Sequence, residues 1–304
     1  MPDRHAFSIV FSPGAAKQHL VGLREGGSFL NSRLPRTNAM ISSKLRSKSV
    51  LWWLQTPMYA ARIARKYAHE GTRFWPGRRE RLARKYLVGQ GIEIGAFHLP
   101  LKVPSRARVT YVDHKPTDEL IADLDAEFLR HVNPRNVVRV GIVDDAQTLA
   151  SVADESQDFV IANHVIEHTQ DPIGALLNWL RVLRPGGVLF LAVPDKRRTF
   201  DVSRPLTPLE HLVRDHEEGS LWSEEAHFDE FARLVMGAPD EERAACVARL
   251  KADVGRIHFH VWTRDTFAPV LGHVAARAPF TVLSRAAGGV EFIVLLQKPA
   301  RATP

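Results

Sequence analysis

From residue 90 onward the chain alternates between short apolar runs and polar or helix-like segments, and this alternation constrains its fold more than any other feature. The runs are GIEIGA (91–96), RVTYVDH (108–114), VVRVGIVDD (137–145), DFVIANHV (158–165) and GVLFLAV (187–193). Near-continuous Val, Ile, Leu and Phe mark strands covered on both faces, and hence a parallel sheet. The best specified unit spans 158–195. After its first strand, Asp171 is placed to cap a helix and Pro172 fits the first turn. Ile173, Leu176, Leu177, Leu180 and Leu183 then repeat at helical spacing, and Pro185-Gly186-Gly187 predicts the stop before the next strand. A strand–helix–strand unit of this kind is a right-handed crossover, and open α/β sheets bind ligands beyond the carboxyl ends of their strands.

The remaining segments fit around that sheet. Residues 1–48 show no sustained periodicity and read as a flexible basic segment. Met40 offers an alternative start. Residues 49–88 read as basic helices, with Leu51, Trp52, Leu54, Met58, Tyr59 and Ile63 forming one rough apolar face and 77–88 forming a second helix. Residues 196–257 interrupt the strand pattern as a charged, helical insertion. Within it, Thr207-Pro208-Leu209-Glu210 predicts a capping box. HFHVW (258–262) reads as extended, a helix follows near 264–277, and FTVLS (280–284) and EFIVLL (291–296) flank Ala286-Ala287-Gly288-Gly289 as an antiparallel hairpin. The expectation is a doubly wound α/β domain over 89–195 and 258–300, with a basic N-terminal extension and an insertion at 196–257 covering the site.

Composition narrows the function classes. One cysteine among 304 residues excludes an internal disulfide and a cysteine-rich zinc site, and it suits a reducing cytoplasm. No apolar run reaches the length of a membrane-spanning helix, and FSIVF, interrupted by Pro13-Gly14, is too short for a secretory signal. The net charge of +7 is uneven: residues 1–88 hold 17 of the 41 Lys and Arg but only 4 of the 34 Asp and Glu. The rest of the chain is mildly acidic, so basicity belongs to the N-terminal segment and is a poor argument for nucleic acid at the active site. Three readings of the basic helices stay open. They can pack against the sheet with a solvated charged face, attach peripherally to anionic lipid at the inner face of the membrane through Trp52, Trp53 and the Arg/Lys positions, or contact RNA, for which no motif speaks.

Several polar residues fall at strand ends, where the chemistry is expected. Asp113 ends the second strand, twenty residues after Glu93. A carboxylate there can accept from both ribose hydroxyls of an adenosine ligand. Asp144-Asp145-Ala146 ends the third strand, where a carboxylate can accept from an adenine amino group; a cap on 146–151 is the alternative use. Asn163, His164, Glu167 and His168 form the densest polar cluster. A histidine there has the pKa to take a proton from an attacking oxygen or nitrogen, or it can orient the loop. His258 and His260, two apart in an extended segment, can face one side. Such a pair can bind metal, with His211, His216 and His227 nearby in the insertion, but the sequence fixes no third ligand. The expectation is therefore no metal, with substrate orientation or general-base work for the pair.

The layout resembles the class I S-adenosylmethionine (SAM)-dependent methyltransferases, and DFVIANHVIEH…LRVLRPGG resembles their type 11 group. The likeness covers 90–195 closely and 258–297 in outline. TPLEHL and HFHVWT are also similar to bacterial methyltransferases associated with glycosyltransferases. The resemblance implies SAM as cofactor. It places Glu93 and Gly95 in the first motif under the methionine half of SAM, Asp113 on the ribose, Asp145 and Ala146 at the adenine, and Asn163 in the pocket. Phe97 and Leu99 stand where further glycines are usual, and Pro100 and Pro104 curtail the following helix. His168 falls at the family's Glu-His position and is the first candidate base, with His260 and His258 beside it. The expected reaction is methyl transfer to an O or N of a small, sugar- or lipid-linked acceptor. Two alternatives remain: a nicotinamide oxidoreductase, disfavoured because no G-x-G-x-x-G follows the first strand, and a non-catalytic Rossmann-like protein that binds membrane or a partner through its basic arm.

Overall fold

The computed structural model describes residues 75–124, 132–252 and 257–301. The readings placed on 1–48 and 49–68, including lipid attachment through Trp52 and Trp53, lie outside the described residues. Seven strands, β1 (Gly89–Ile94), β2 (Ala107–Asp113), β3 (Val140–Val143), β4 (Gln157–Asn163), β5 (Leu183–Pro194), β6 (Thr281–Gly288) and β7 (Glu291–Gln297), form one sheet in the order β3-β2-β1-β4-β5-β7-β6. β1 to β5 run parallel, and β7 pairs antiparallel with both β5 and β6. The strand order reverses between β1 and β4, which creates the crevice where such sheets take ligands. Among the described residues the helices are α1 (Trp75–Tyr86), α2 (Thr117–Ala122), α3 (Pro172–Arg181), α4 (Leu209–Glu218), α5 (Leu221–Leu234), α6 (Asp240–Ala252) and α7 (Arg264–Ala275). No helix there is long and apolar enough to cross a membrane.

Both faces of the central strands β1, β4, β5 and β7 are covered, which explains their continuous apolar runs. Val160, Ala162, Leu189, Leu191, Phe292 and Val294 meet α3 and α7 on one face. Their neighbours Phe159, Ile161, Phe190, Ala192, Ile293 and Leu295 meet Ala83 and Leu87, from α1 and just beyond it, on the other. Removing each large side chain of this kind from water contributes about 1.5–3 kcal/mol. Gly91 is required by close approach: a Cβ there would fall 2.3 Å from the Phe159 carbonyl oxygen. The basic helix α1 thus packs on the sheet, and Tyr86 also donates to the Leu283 carbonyl at 3.3 Å.

Helix α3 begins as expected, with Asp171 Oδ1 accepting from Gly174 N at 2.8 Å and Pro172 in the first turn. It ends earlier than the Pro-Gly-Gly signal predicts. The helix stops at Arg181, and 184–187 enter β5 as an irregular stretch, since Gln157 pairs with Leu183 and Phe159 with Val188. The end of β7 supplies the missing partners: Gly186 N donates to the Lys298 carbonyl at 3.0 Å, and Gln297 Nε2 donates to the Gly186 carbonyl at 2.9 Å.

One other expectation is corrected and two are made more specific. Thr207 does not cap α4: the N-cap is Pro208, with no side-chain bond, because Thr207 Oγ1 accepts from Val261 N at 3.1 Å instead. HFHVW is extended but contributes only one bridge, between Asp195 and Trp262. The C-terminal hairpin turns at Gly289-Val290, and Ala286 to Gly288 belong to β6. The insertion forms α4, α5 and α6, whose Phe228, Phe231, Ala232 and Val247 gather with Phe259 in a small core of their own.

Candidate active site

The carboxyl ends of β1, β2 and β4 bring Glu93, Asp113 and Asn163 to the crevice. Gly95 leaves β1 with φ 65° and donates to the Val112 carbonyl at 2.9 Å, a left-handed turn that glycine adopts without a Cβ clash. As Pro100 and Pro104 predict, no helix forms between β1 and β2. Phe97 instead adopts φ 38° and buries its ring against Leu120, Leu124 and Val132. Glu93 fixes this turn: both its oxygens accept from Leu101 N, at 2.9 and 3.1 Å, and Asn163 Nδ2 lies 3.4 Å from Oε1. Burial pushes the Glu93 carboxyl up to about 7, against the opposing bond from Leu101 and the charge of Arg79.

Two oxygens in this crevice are buried without a hydrogen-bond partner, Asp113 Oδ2 and Asn163 Oδ1. Asp113 Oδ1 is already held by His114, through its N at 2.9 Å and Nδ1 at 2.6 Å. A buried acceptor left unpaired is costly, so an orphaned carboxylate oxygen at the end of β2 fits a ligand that donates hydroxyls there. Asp145 uses Oδ1 to hold its own turn, accepting from Gln147 N and Thr148 N at 2.9 Å each. The Ala146 carbonyl accepts from the buried Trp179 indole at 2.8 Å. The helix expected over 146–151 is not formed: that stretch is a series of turns, and Asp145 holds the first of them instead of capping a helix. This donor and acceptor set fits an adenosine-bearing cofactor.

The loop after β4 turns sharply at His164, with φ 56°. His164 Nε2 lies 2.9 Å from Glu291 Oε2, and Glu291 is also gripped by the Arg79 guanidinium. Arg79 and His164 outweigh burial and hold the Glu291 carboxyl below its ordinary value. Glu167 is fully buried, and neither of its oxygens has a hydrogen-bond partner. Three imidazoles surround it: His164 Nδ1 at 3.5 Å, and His168 Nε2 and His258 Nε2 at 4.0 Å each. Burial raises the Glu167 carboxyl and, with His258 nearby, lowers His168 well below the usual imidazole value.

His168 and His258 meet edge to face with ring centroids 4.9 Å apart. His168 Nδ1 lies 3.0 Å from the Ile257 carbonyl, and His258 Nδ1 lies 2.7 Å from Asp201 Oδ2. Burial alone would raise Asp201, but His258 and Arg204 outweigh it and hold the carboxyl at about 2. Arg204, itself buried, binds Asp201 Oδ1 at 2.9 Å and the carbonyls of His258 and Phe259 at 2.6 and 3.1 Å. Glu167, Lys196, Asp201, His258 and His260 close around one tightly packed spot against Pro194, Val261 and Trp262, with Glu167, Asp201 and His258 buried.

His260 engages different partners from His258. Its Nδ1 lies 3.2 Å from the Thr169 carbonyl and its Nε2 3.0 Å from Asp215 Oδ2, within a group that also holds His211 and His227. His216 is not in that group; its Nδ1 lies 2.9 Å from Asp171 Oδ2. The sequence did not single out Asp201, Asp215, Glu291 or Arg79. Each meets its histidine or carboxylate across the fold, and none sits at a spacing that announces a site.

Residues 88–191 match the profile of a family described as a methyltransferase domain. No curated protein matches the chain. Among solved structures, it is similar to a SAM-dependent methyltransferase from Aquifex aeolicus (14% identity, 74% of this chain and 90% of that one, TM-score 0.40). It is also similar to a SAM-dependent methyltransferase from Methanosarcina mazei (17%, 71% and 96%, TM-score 0.38). A third is the CurJ carbon methyltransferase (17%, 71% of this chain, TM-score 0.37), of whose length the chain spans half. The profile match lies on β1 to β5 and their crevice, so the likeness to a methyltransferase domain falls on the part of the fold that carries Glu93, Asp113 and Asn163.

Proposed function

We propose that the protein transfers a methyl group from SAM to an oxygen or nitrogen of a small, sugar- or lipid-linked acceptor. The observation that carries the donor half is the buried, unpartnered Asp113 Oδ2 at the end of β2, inside the matched domain. Asp113 would take the ribose hydroxyls, Asp145 and Ala146 the adenine edge, and Gly95 with Glu93 and Asn163 the methionine end. Bound there, SAM supplies a methyl group on a positively charged sulfur.

The acceptor half rests on the side-chain group of Glu167, Asp201 and His258 beyond β4 and β5. Asp201 can only accept, so the 2.7 Å contact places a hydrogen on His258 Nδ1. Nε2 of His258 then presents its lone pair on the side of Glu167. This is the orienting arrangement of a carboxylate–histidine base. As the acceptor attacks, its proton passes to His258 Nε2, and Asp201 stabilises the imidazolium that forms. The unpaired Glu167 carboxyl would accept a neighbouring hydroxyl of a polyol acceptor and fix its orientation. His168, buried with Nδ1 on a backbone carbonyl, serves as a positioning residue for the loop. His260 is assigned no proton-transfer role. Insertion 196–257 supplies Asp201 and Arg204, so it shapes the acceptor side.

Labelled methyl transfer from SAM into fractionated cell extract tests this reading, with wild type and His258→Ala run in parallel. The expected result is label in a sugar- or lipid-linked fraction that the variant fails to produce. Label confined to protein or nucleic acid would overturn the acceptor class.

A further inference from the structure

We propose that His211, Asp215, His227 and His260 form a binding site for one divalent first-row transition-metal ion of the Zn2+ class, which staples the helical insertion to the loop after β4. The four residues come from separate parts of the chain. His211 and Asp215 lie one turn apart on α4, His227 lies on α5, and His260 lies in the extended segment after the insertion. All four ligand atoms gather within 4.8 Å of one another. His211 Nε2 lies 3.1 Å from His227 Nε2 and 3.2 Å from Asp215 Oδ2, and Asp215 Oδ2 lies 3.0 Å from His260 Nε2. Tetrahedral zinc bonds of about 2.0–2.1 Å set neighbouring ligand atoms about 3.3 Å apart, so these three separations are close to the spacing the ion requires.

The hydrogen positions favour an ion over a closed hydrogen-bond network. The Thr169 carbonyl can only accept, so His260 Nδ1, 3.2 Å away, carries a hydrogen. A neutral His260 therefore turns the lone pair of Nε2 toward Asp215 Oδ2, which is also electron-rich. His211 and His227 add two further Nε2 atoms at the same point, 3.1 Å from each other. Three imidazole nitrogens and a carboxylate oxygen that converge in this way repel one another unless protons or a cation lie between them. The outer contacts are those of a metal site: a backbone carbonyl orients His260, and Ser223 Oγ donates to Asp215 Oδ1 at 2.8 Å. Asp215 and His260 are fully buried and His227 nearly so, which suits a closed structural site. Three nitrogens and one hard oxygen suit Zn2+ and its neighbours, and not Ca2+ or Mg2+.

Sequence reading left the site incomplete for lack of further ligands around the His-x-His pair. The fold supplies them by dividing that pair: His260 joins Asp215, while His258 turns to Asp201. Thr169 directly follows His168, so an ion here would tie α4, α5 and the 258–262 segment to the loop of the candidate active site. The assignment is independent of the methyl donor and of any acceptor.

The test uses the full chain, purified without added metal, stripped with a chelator and titrated with Zn2+ and with Co2+. Expected are one tightly held equivalent of Zn2+, the visible absorption of tetrahedral Co2+ when cobalt replaces it, and a rise in Tm on zinc addition. His227→Asn should abolish the tight equivalent and the cobalt spectrum, and Ser223→Ala should weaken Zn2+ by about ten- to a hundred-fold. Circular dichroism of each variant confirms folding, and Ser223→Ala keeps the test open should His227→Asn fail to fold. Absence of a saturable equivalent, equal Zn2+ affinity in wild type and His227→Asn, or loss of the ion in Glu167→Gln with retention in His227→Asn would each overturn the proposal.

Discussion

His258 Nδ1 sits 2.7 Å from Asp201 Oδ2, joining a residue beyond the helical insertion to one at its beginning. In the proposed mechanism this contact orders the base, and it involves none of the residues proposed to hold SAM. His258→Ala is expected to lower kcat by about a hundred- to ten-thousand-fold while leaving the SAM dissociation constant unchanged. Single-turnover methyl transfer, with SAM binding measured separately, checks this; a parallel loss of SAM binding would count against it.

The same contact has an acid signature. Asp201 is held at about 2, against about 3.9 for an unfolded Asp. Its pairing with Arg204 and His258 therefore stabilises the fold fully above about pH 4, and that contribution is lost as pH falls through 2. Asp201→Asn should lower stability at neutral pH and flatten the acid limb between pH 4 and pH 2. Denaturant unfolding of the two proteins across that window gives the comparison.

Glu93 has the opposite sign. Its carboxyl is raised to about 7 by burial, so the folded state favours the protonated form. Unfolded Glu ionises near 4.3, and the stability associated with Glu93 is present below that pH and lost as pH rises toward 7. Glu93→Gln should raise Tm at pH 8 more than at pH 5, since the amide oxygen can still accept from Leu101 N. Equal shifts at both pH values would show that Glu93 is not the group responsible.

Arg79 and Glu291 join α1 to the start of β7, with Glu291 buried and His164 on its other side. Removing the guanidinium leaves that carboxylate buried beside an imidazole alone. Arg79→Ala is expected to cost about 3–5 kcal/mol in urea unfolding, and Arg79→Ala with Glu291→Gln should recover part of it. A single-mutant cost under about 1 kcal/mol would place the pair among solvent-screened surface bridges.

Local signals carried the sheet. The central runs of β1, β4 and β5 are largely apolar because both of their faces are covered, and the pair Asp171-Pro172 encodes the start of α3. Signals failed where a side chain had a distant competitor. Thr207 looked like a cap but bonds Val261 N, and Pro-Gly-Gly looked like a helix stop but completes β5 against the end of β7. The candidate site divides in the same way. Asp113 and the Asn163–His168 cluster lie at strand ends and were readable, whereas Asp201, Asp215 and Glu291 acquire their partners only when the insertion and the last hairpin fold back. Nothing in the local spacing of His258 and His260 indicates that they serve separate clusters.

The most direct test of the central claim is calorimetric titration of the full chain with SAM and S-adenosylhomocysteine, comparing wild type with Asp113→Ala. Saturable binding of one equivalent by the wild type, weakened at least about tenfold in the variant through loss of a charge-assisted bond, is the predicted result. A well-folded wild type that binds neither ligand, or an Asp113→Ala variant that binds as tightly as wild type, would contradict it.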